Sequence, residues 1–257
     1  MSDMGVQPLA EAPGGAGLSQ MQRVTSVFSA PSKTFEDIKR GNRSWWMPFA
    51  ISVLAFGVFF AAVTTKVTWA QVYENEQRNM PEFFKHMQEQ APPERQAAQA
   101  KAGPITQAVT ACMAPIGVII MDLIAAGVLL ATINFGFGGK AKFGSLFAVT
   151  LYAGLVLWPL QWLLAAITVF FGEPGVFNIH NPSPTNIAAF FPELRTSSLT
   201  LYALLTSLDA CSIWCMVVTA IGVAIVAGVK RSSGYIAVFG WWFIGLLIGV
   251  GFAAAFS

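Results

Sequence analysis

Charge is missing from long runs of this chain, and that constrains the fold more than any motif. No Asp, Glu, Lys or Arg occurs between Arg43 and Lys66, between Lys142 and Glu173, or after Arg231. Asp122 alone interrupts the run from Lys101 to Lys140, and Asp209 alone the run from Arg195 to Lys230. A helix needs about 20 mostly apolar residues to cross a hydrocarbon core of about 30 Å. Five segments qualify, at about Trp46–Val63, Ile105–Phe135, Leu146–Phe171, Leu199–Val229 and Tyr235–Phe256. The fold class that follows is all-α, a polytopic transmembrane helical bundle of about five spans in contact with the lipid bilayer.

Composition supports this and excludes alternatives. Of 257 residues, 55% are hydrophobic and 11% charged, against about 25% charged in soluble domains. So few charges could not cover a soluble surface of this size. The net charge is +2, with no dense basic block, so nucleic acid is not an expected partner. Cys112, Cys211 and Cys215 all lie in apolar stretches without a nearby histidine, and read as packing residues, not metal ligands. Trp45, Trp46, Trp69 and Tyr73 bracket the first span, as amphipathic rings do at headgroup level. About 45 polar residues precede that span, too many for an ordinary secretory signal, so the mature chain is expected to begin at Met1.

Basic residues near span ends set orientation. Arg23, Lys33, Lys39, Arg40 and Arg43 precede the first span, Lys140 and Lys142 follow the second, and Lys230 and Arg231 follow the fourth. These alternate on one side, which is assigned as cytoplasmic. The expected topology is multi-pass in the cell membrane (the inner membrane if bacterial), N-terminus cytoplasmic and C-terminus exterior. The loop Thr64–Pro104 fits less well, because its bases are not few, although acidic residues balance them.

Outside the spans, residues 1–17 read as a disordered Gly/Ala/Pro-rich tail. Residues 18–45 read as a cytoplasmic amphipathic segment of two short helices, with Pro31 in a first turn and Gly41 as a cap. Phe28, Pro31, Phe35 and Ile38 are its candidate interaction residues. It lies either on the membrane surface or against the loops of the bundle. Residues 46–257 form the membrane domain. Its polar exterior loop at about 64–104 is expected to be helical extensions of the first two spans, broken at Pro81 and Pro92–Pro93. The loop after the third span is expected to be irregular, with a short helix near Asn186–Phe190. His86 and His180 fall in these two loops and read as surface residues, not a shared metal site.

Asp122 sits near the centre of the second span and Asp209 about a third of the way into the fourth. A carboxylate at a helix centre costs about 2.5–3.5 kcal/mol on insertion, so each should face the bundle interior. Both spans run the same way, which puts the two within about two turns of depth. With Gln161 they form a candidate intramembrane polar site: a relay or substrate site on one reading, a polar clasp between helices on the other. Gly245 and Gly249 make a GxxxG spacing, a candidate for helix packing within the chain or in a homo-oligomer. The run GFGGK at Gly136–Lys140 lacks the Walker spacing and reads as a flexible turn. No catalytic motif appears, and no enzymatic activity or cofactor is expected.

Three stretches carry a resemblance. They are RVTSVFSAPSKTFEDI (Arg23–Ile38) ahead of WWMPF, FGGKAKFGSLFAVTLYAGLVLWPL (Phe137–Leu160), and LYALLTSLDACSIWCMVVTAIGVAIVAGVKR (Leu201–Arg231). Together with the layout, they make the chain resemble the bacterial branch of the YIP family, the Ypt/Rab-GTPase-interacting proteins. The resemblance implies a helical bundle without known enzymatic activity. Eukaryotic members are associated with small GTPases and vesicle traffic, but the chain lacks the Asp-Leu-Tyr-Gly-Pro stretch typical of them, which weakens the case for GTPase binding. Two functions are expected: a non-enzymatic membrane scaffold or adaptor with protein partners at the N-terminal segment, or a small-solute or ion transporter or channel using Asp122 and Asp209.

Overall fold

The computed structural model describes residues 17–256, and the tail expected at 1–17 lies almost wholly outside the described residues. Two short helices come first, α1 (Gln20–Ser29) and α2 (Pro31–Lys39). Ser19 caps α1 through a capping box with Gln22, which satisfies backbone donors that the first turn leaves free. Pro31 opens α2, where its missing N–H costs nothing. Then follow α3 (Trp46–Lys66), α4 (Trp69–Arg78), α5 (Glu82–Glu89), α6 (Pro93–Cys112) and α7 (Ala114–Ala131), which closes in a π-helical turn at Thr132–Gly136. The rest is α8 (Phe143–Gly154), α9 (Trp158–Phe171), α10 (Leu194–Ser197), α11 (Leu199–Ser207), α12 (Ala210–Ala227) and α13 (Arg231–Ala255), with no strand among the described residues.

Five helices are long and apolar enough to cross a membrane: Trp46–Lys66, Ala114–Gly136, Phe143–Phe171, Ala210–Ala227 and Arg231–Ala255. The bundle is all-α, as expected, but three boundaries differ. The second span begins at Ala114 and not near Ile105, because Pro115 opens a new helix after the bend at Met113. The third span is interrupted at Leu155–Leu157. Pro159 cannot donate to the carbonyl four residues back, and its ring crowds that turn. The fourth, expected as one helix over Leu199–Val229, is broken at Leu208–Asp209 into α11 and α12.

The face that carries α1 and α2 is called here the near face, and the opposite one the far face. At the near face, Lys140 N–H donates to Ala227 O at 3.0 Å, joining the turn after α7 to the end of α12. Gly228 closes α12 with φ 69°, a left-handed cap that a side chain would strain. The far face holds α4, α5, α6 and the long loop of residues 172–198. Helices α5 and α6 begin after Pro81 and Pro92, the expected break points. However, α4 is a separate helix and not an extension of the first span, because the chain turns at Thr68 with φ 65°.

Helix α8 is the central post. Every residue from Ser145 to Gly154 is buried, between α7 on one side and α12 and α2 on the others. A second cluster, built on Phe56, Phe59, Val63, Ala165 and Val169, holds α3 to α9 toward the far face. The outer surfaces of α7 and α13 leave Ile120, Met121, Ile124, Phe243, Leu247 and Ile248 exposed. Such a continuous apolar belt belongs in lipid.

Candidate functional sites

The break in the fourth span is made by Asp209. Its carboxylate caps α12, accepting from the Ser212 N–H at 2.7 Å. The other oxygen accepts from Gln161 Nε2 of α9 at 3.1 Å and from the Thr185 hydroxyl. Asp209 is therefore the start of a half-helix and not a carboxylate inside a continuous one, and its 4% exposure reflects saturated bonding.

Thr185 reaches it because the loop after α9 folds back into the bundle. The Thr168 hydroxyl donates to Pro182 O at 2.8 Å, and Ala210 N–H donates to Thr185 O at 3.0 Å. Asn186 bridges to Asp209 through the backbone and exchanges side-chain bonds of 2.7 and 3.1 Å with Asn181. Gln161 lies about 15 Å below Phe171 at 1.5 Å per residue, close to half the thickness of a bilayer core. Irregular backbone at that depth survives only when buried in protein with its polar groups paired. The paired amides and hydroxyls supply that pairing here.

Asp122 occupies a different environment. It lies on α7 beside the Thr150 hydroxyl of α8, with Oδ2 buried and unpartnered among the described residues. The partners of the two carboxylates differ: Asp209 meets Gln161, Thr185 and Ser212, and Asp122 meets Thr150.

The N-terminal candidates divide. Phe35 and Ile38 are fully buried. A Cβ on Gly222 would lie 2.6 Å from Val149 and 3.0 Å from Phe35, so Phe35 fills the seam between α8 and α12. Phe28 meets Trp214 in the first half of α12, while Lys39 reaches Gly228 at its end. Helix α2 thus packs along the flank of α12. Phe28 stays 40% exposed and Pro31 half-buried.

A buried ion pair pins this hairpin. Arg23, 1% exposed, has Nε 3.6 Å from Asp37 Oδ2 and donates from Nη1 to Asn42 O at 2.8 Å. Its guanidinium lies 5.3 Å from the Tyr152 ring centroid. Asp37 also accepts from Leu18 N–H and Asn42 Nδ2. In the sequence, Arg23 counts as an orientation charge and opens the first stretch of the family resemblance. Its spacing from Asp37 across two helices carries no local signal.

A Cβ at Gly245 or Gly249 would meet no atom within 4 Å among the described residues. Close helix approach is made instead by Gly222 and by Gly234, whose Cβ would lie 2.3 Å from Ala220 O. The histidines separate as well. His180 Nε2 pairs with Glu76 at 2.7 Å across the far face, while His86 pairs with Glu89 at 3.6 Å. The hydrogen bond with His180 holds the Glu76 carboxyl below its ordinary range. Partial burial opposes this, and the charges of His180 and Arg195 assist it. No group of three potential metal ligands occurs among the described residues.

Five apolar spans, a lipid-facing belt and buried polar seams define an integral multi-pass membrane protein. A profile described as the Yip1 domain matches residues 25–253, so the chain belongs to the Yip1 family, which is not known as enzymatic. No curated protein and no solved structure matches it.

Proposed function

We propose that this chain is a non-enzymatic scaffold or adaptor of the cell membrane, the inner membrane in a bacterial cell. Its N-terminus is cytoplasmic, its C-terminus exterior, and its partners are proteins that dock on the α1–α2 hairpin. The observation that carries this reading is the pinned hairpin. The Arg23–Asp37 pair and the buried Phe35 and Ile38 hold it rigid, while Met21 and Phe28 remain exposed on it. A surface fixed in advance spares a partner the cost of ordering it.

A photo-crosslinker placed at Met21 in intact membranes tests it. The expected result is a discrete protein adduct that disappears when Phe28 is changed to Ser. The absence of any protein adduct, or one indifferent to Phe28, removes the adaptor role. Deleting residues 18–45 is a poor substitute, because Phe35 and Ile38 are part of the core.

One observation favours a second reading, a transporter or channel. Discontinuous spans and re-entrant segments often build solute sites near the bilayer midplane, and Asp209, Gln161 and Thr185 meet at such a break. Flux into proteoliposomes is the measure. Transport that falls at least about tenfold in Asp122→Asn or Asp209→Asn supports it, and flux absent or unchanged by both excludes it.

A further inference from the structure

Helix α5 buries none of its residues in the chain, yet it is sharply two-sided. At about 100° per residue, Phe83, Phe84 and Met87 fall within an arc of about 100°, and Glu82, Lys85 and Glu89 within about 60° on the opposite side. Phe83 and Phe84 are each 38% exposed and Met87 is 58% exposed. On the polar side Lys85 Nζ meets Glu82 at 3.0 Å, and Glu89 stands out from the protein. Little protein covers the apolar side. A groove of about 600 Å³, with Met80, Phe84 and Met87 on its wall, opens between α5 and helices α4 and α6.

The place of this face in the fold says what meets it. The Phe83 and Phe84 rings lie 4.9 and 6.1 Å from Phe256, and Phe256 lies 4.3 Å from Phe252. Ile244, Ile248 and Phe252 recur every fourth residue along α13 and are all exposed, as on the side of a spanning helix that faces lipid. The apolar surface therefore passes from the lipid belt of α13 onto α5 without a polar break. Depth agrees with this. From Arg231 to Ala255, α13 rises about 36 Å at about 1.5 Å per residue. That exceeds a hydrocarbon core of about 30 Å and falls short of the about 40–45 Å of a bilayer with its headgroups. With Arg231 among the near headgroups, Phe256 and α5 lie at the far boundary between acyl chains and headgroups.

We propose that α5 is an interfacial helix that inserts Phe83, Phe84 and Met87 into the lipid surface of the far leaflet, with Glu82, Lys85 and Glu89 in water. It moors the far-face segment α4–α6 to the bilayer. Such helices sink their apolar face about 5–10 Å into that boundary. Glu82 and Glu89 offset Lys85 and His86, so the helix has no basic excess with which to select anionic lipid.

Power-saturation EPR tests this with single nitroxide labels at Met87→Cys and at Glu89→Cys in phosphatidylcholine proteoliposomes, on a chain carrying Cys112→Ser, Cys211→Ser and Cys215→Ser. Both side chains are exposed in the protein, so the bilayer is what separates them. The accessibility to oxygen relative to a water-soluble nickel chelate should be at least about fivefold higher at Met87 than at Glu89. Replacing part of the lipid by phosphatidylglycerol should leave that ratio unchanged. The proposal is overturned by equal ratios at the two sites, or by insertion that requires phosphatidylglycerol. It is also overturned by a Met87 label shut off from both reagents, which marks protein cover from a second copy or from α6. Where the cysteine-free chain does not fold, p-benzoylphenylalanine in place of Met87 in the otherwise native chain decides. A photoadduct of lipid mass supports the proposal, and an adduct with a second copy, or none with lipid, overturns it.

Discussion

At the scale of residues, function-bearing positions depend on neighbours far away in the chain. Arg23 is the clearest case. Truncating one partner of a buried pair leaves the other charge uncompensated, at about 3–5 kcal/mol. Arg23→Ala should therefore lower the unfolding free energy by that order and free the hairpin, read as faster amide exchange in α1 and α2. Retained exchange protection would mean that apolar packing alone holds the hairpin. Glu76 makes a different prediction. Its folded carboxyl titrates below the ordinary value of 4.5, so its contribution is complete above that pH and fades as pH falls through the folded value. The thermal midpoint of the wild type should exceed that of Glu76→Gln at neutral pH, and the gap should close in acid. A gap that widened on acidification would contradict the assignment. Phe28, Phe35 and Ile38 look equivalent along the sequence. Only the seam between α8 and α12 separates the last two from the first.

At the scale of elements, hydrophobic length identified the spans, while breaks and close approaches followed other rules. Prolines announce the starts of α5 and α6, because a missing N–H acts locally, whereas Pro115 at the start of α7 lies inside an apolar run that reads as one span. The α11–α12 break had only Asp209 as its signal, a good N-cap residue that is equally readable as a buried carboxylate in a helix. What decided it was Thr185 and Gln161, brought in from 24 and 48 residues away. Glycines show the same division. Gly234→Ala pushes a Cβ against backbone and should destabilise by about 1–3 kcal/mol. Gly249→Ala meets open space and should be neutral or slightly stabilising, since Ala favours helix by about 1 kcal/mol. Thermal unfolding of the two purified variants checks this. Equal losses would mean that Gly249 is packed, through a second copy of the chain.

At the scale of the whole molecule, five crossings place the two ends of the membrane domain on opposite faces. The proposed direction predicts that a reporter active only outside the cytoplasm works when fused after residue 257 and fails when fused before residue 18. The reverse pattern would invert the topology and move the adaptor surface to the exterior. The membrane class, the number of spans and the family are legible along the chain alone. Hydrophobic length and charge placement are additive along the chain and need no partner to be read. The different partners of Asp122 and Asp209, and the place of Phe35 and Ile38 of α2 in the core, emerge only in the folded chain. Helix rotation, re-entry of a loop and the pairing of buried polar groups are set by which surfaces meet. That information is distributed over residues that the chain holds far apart.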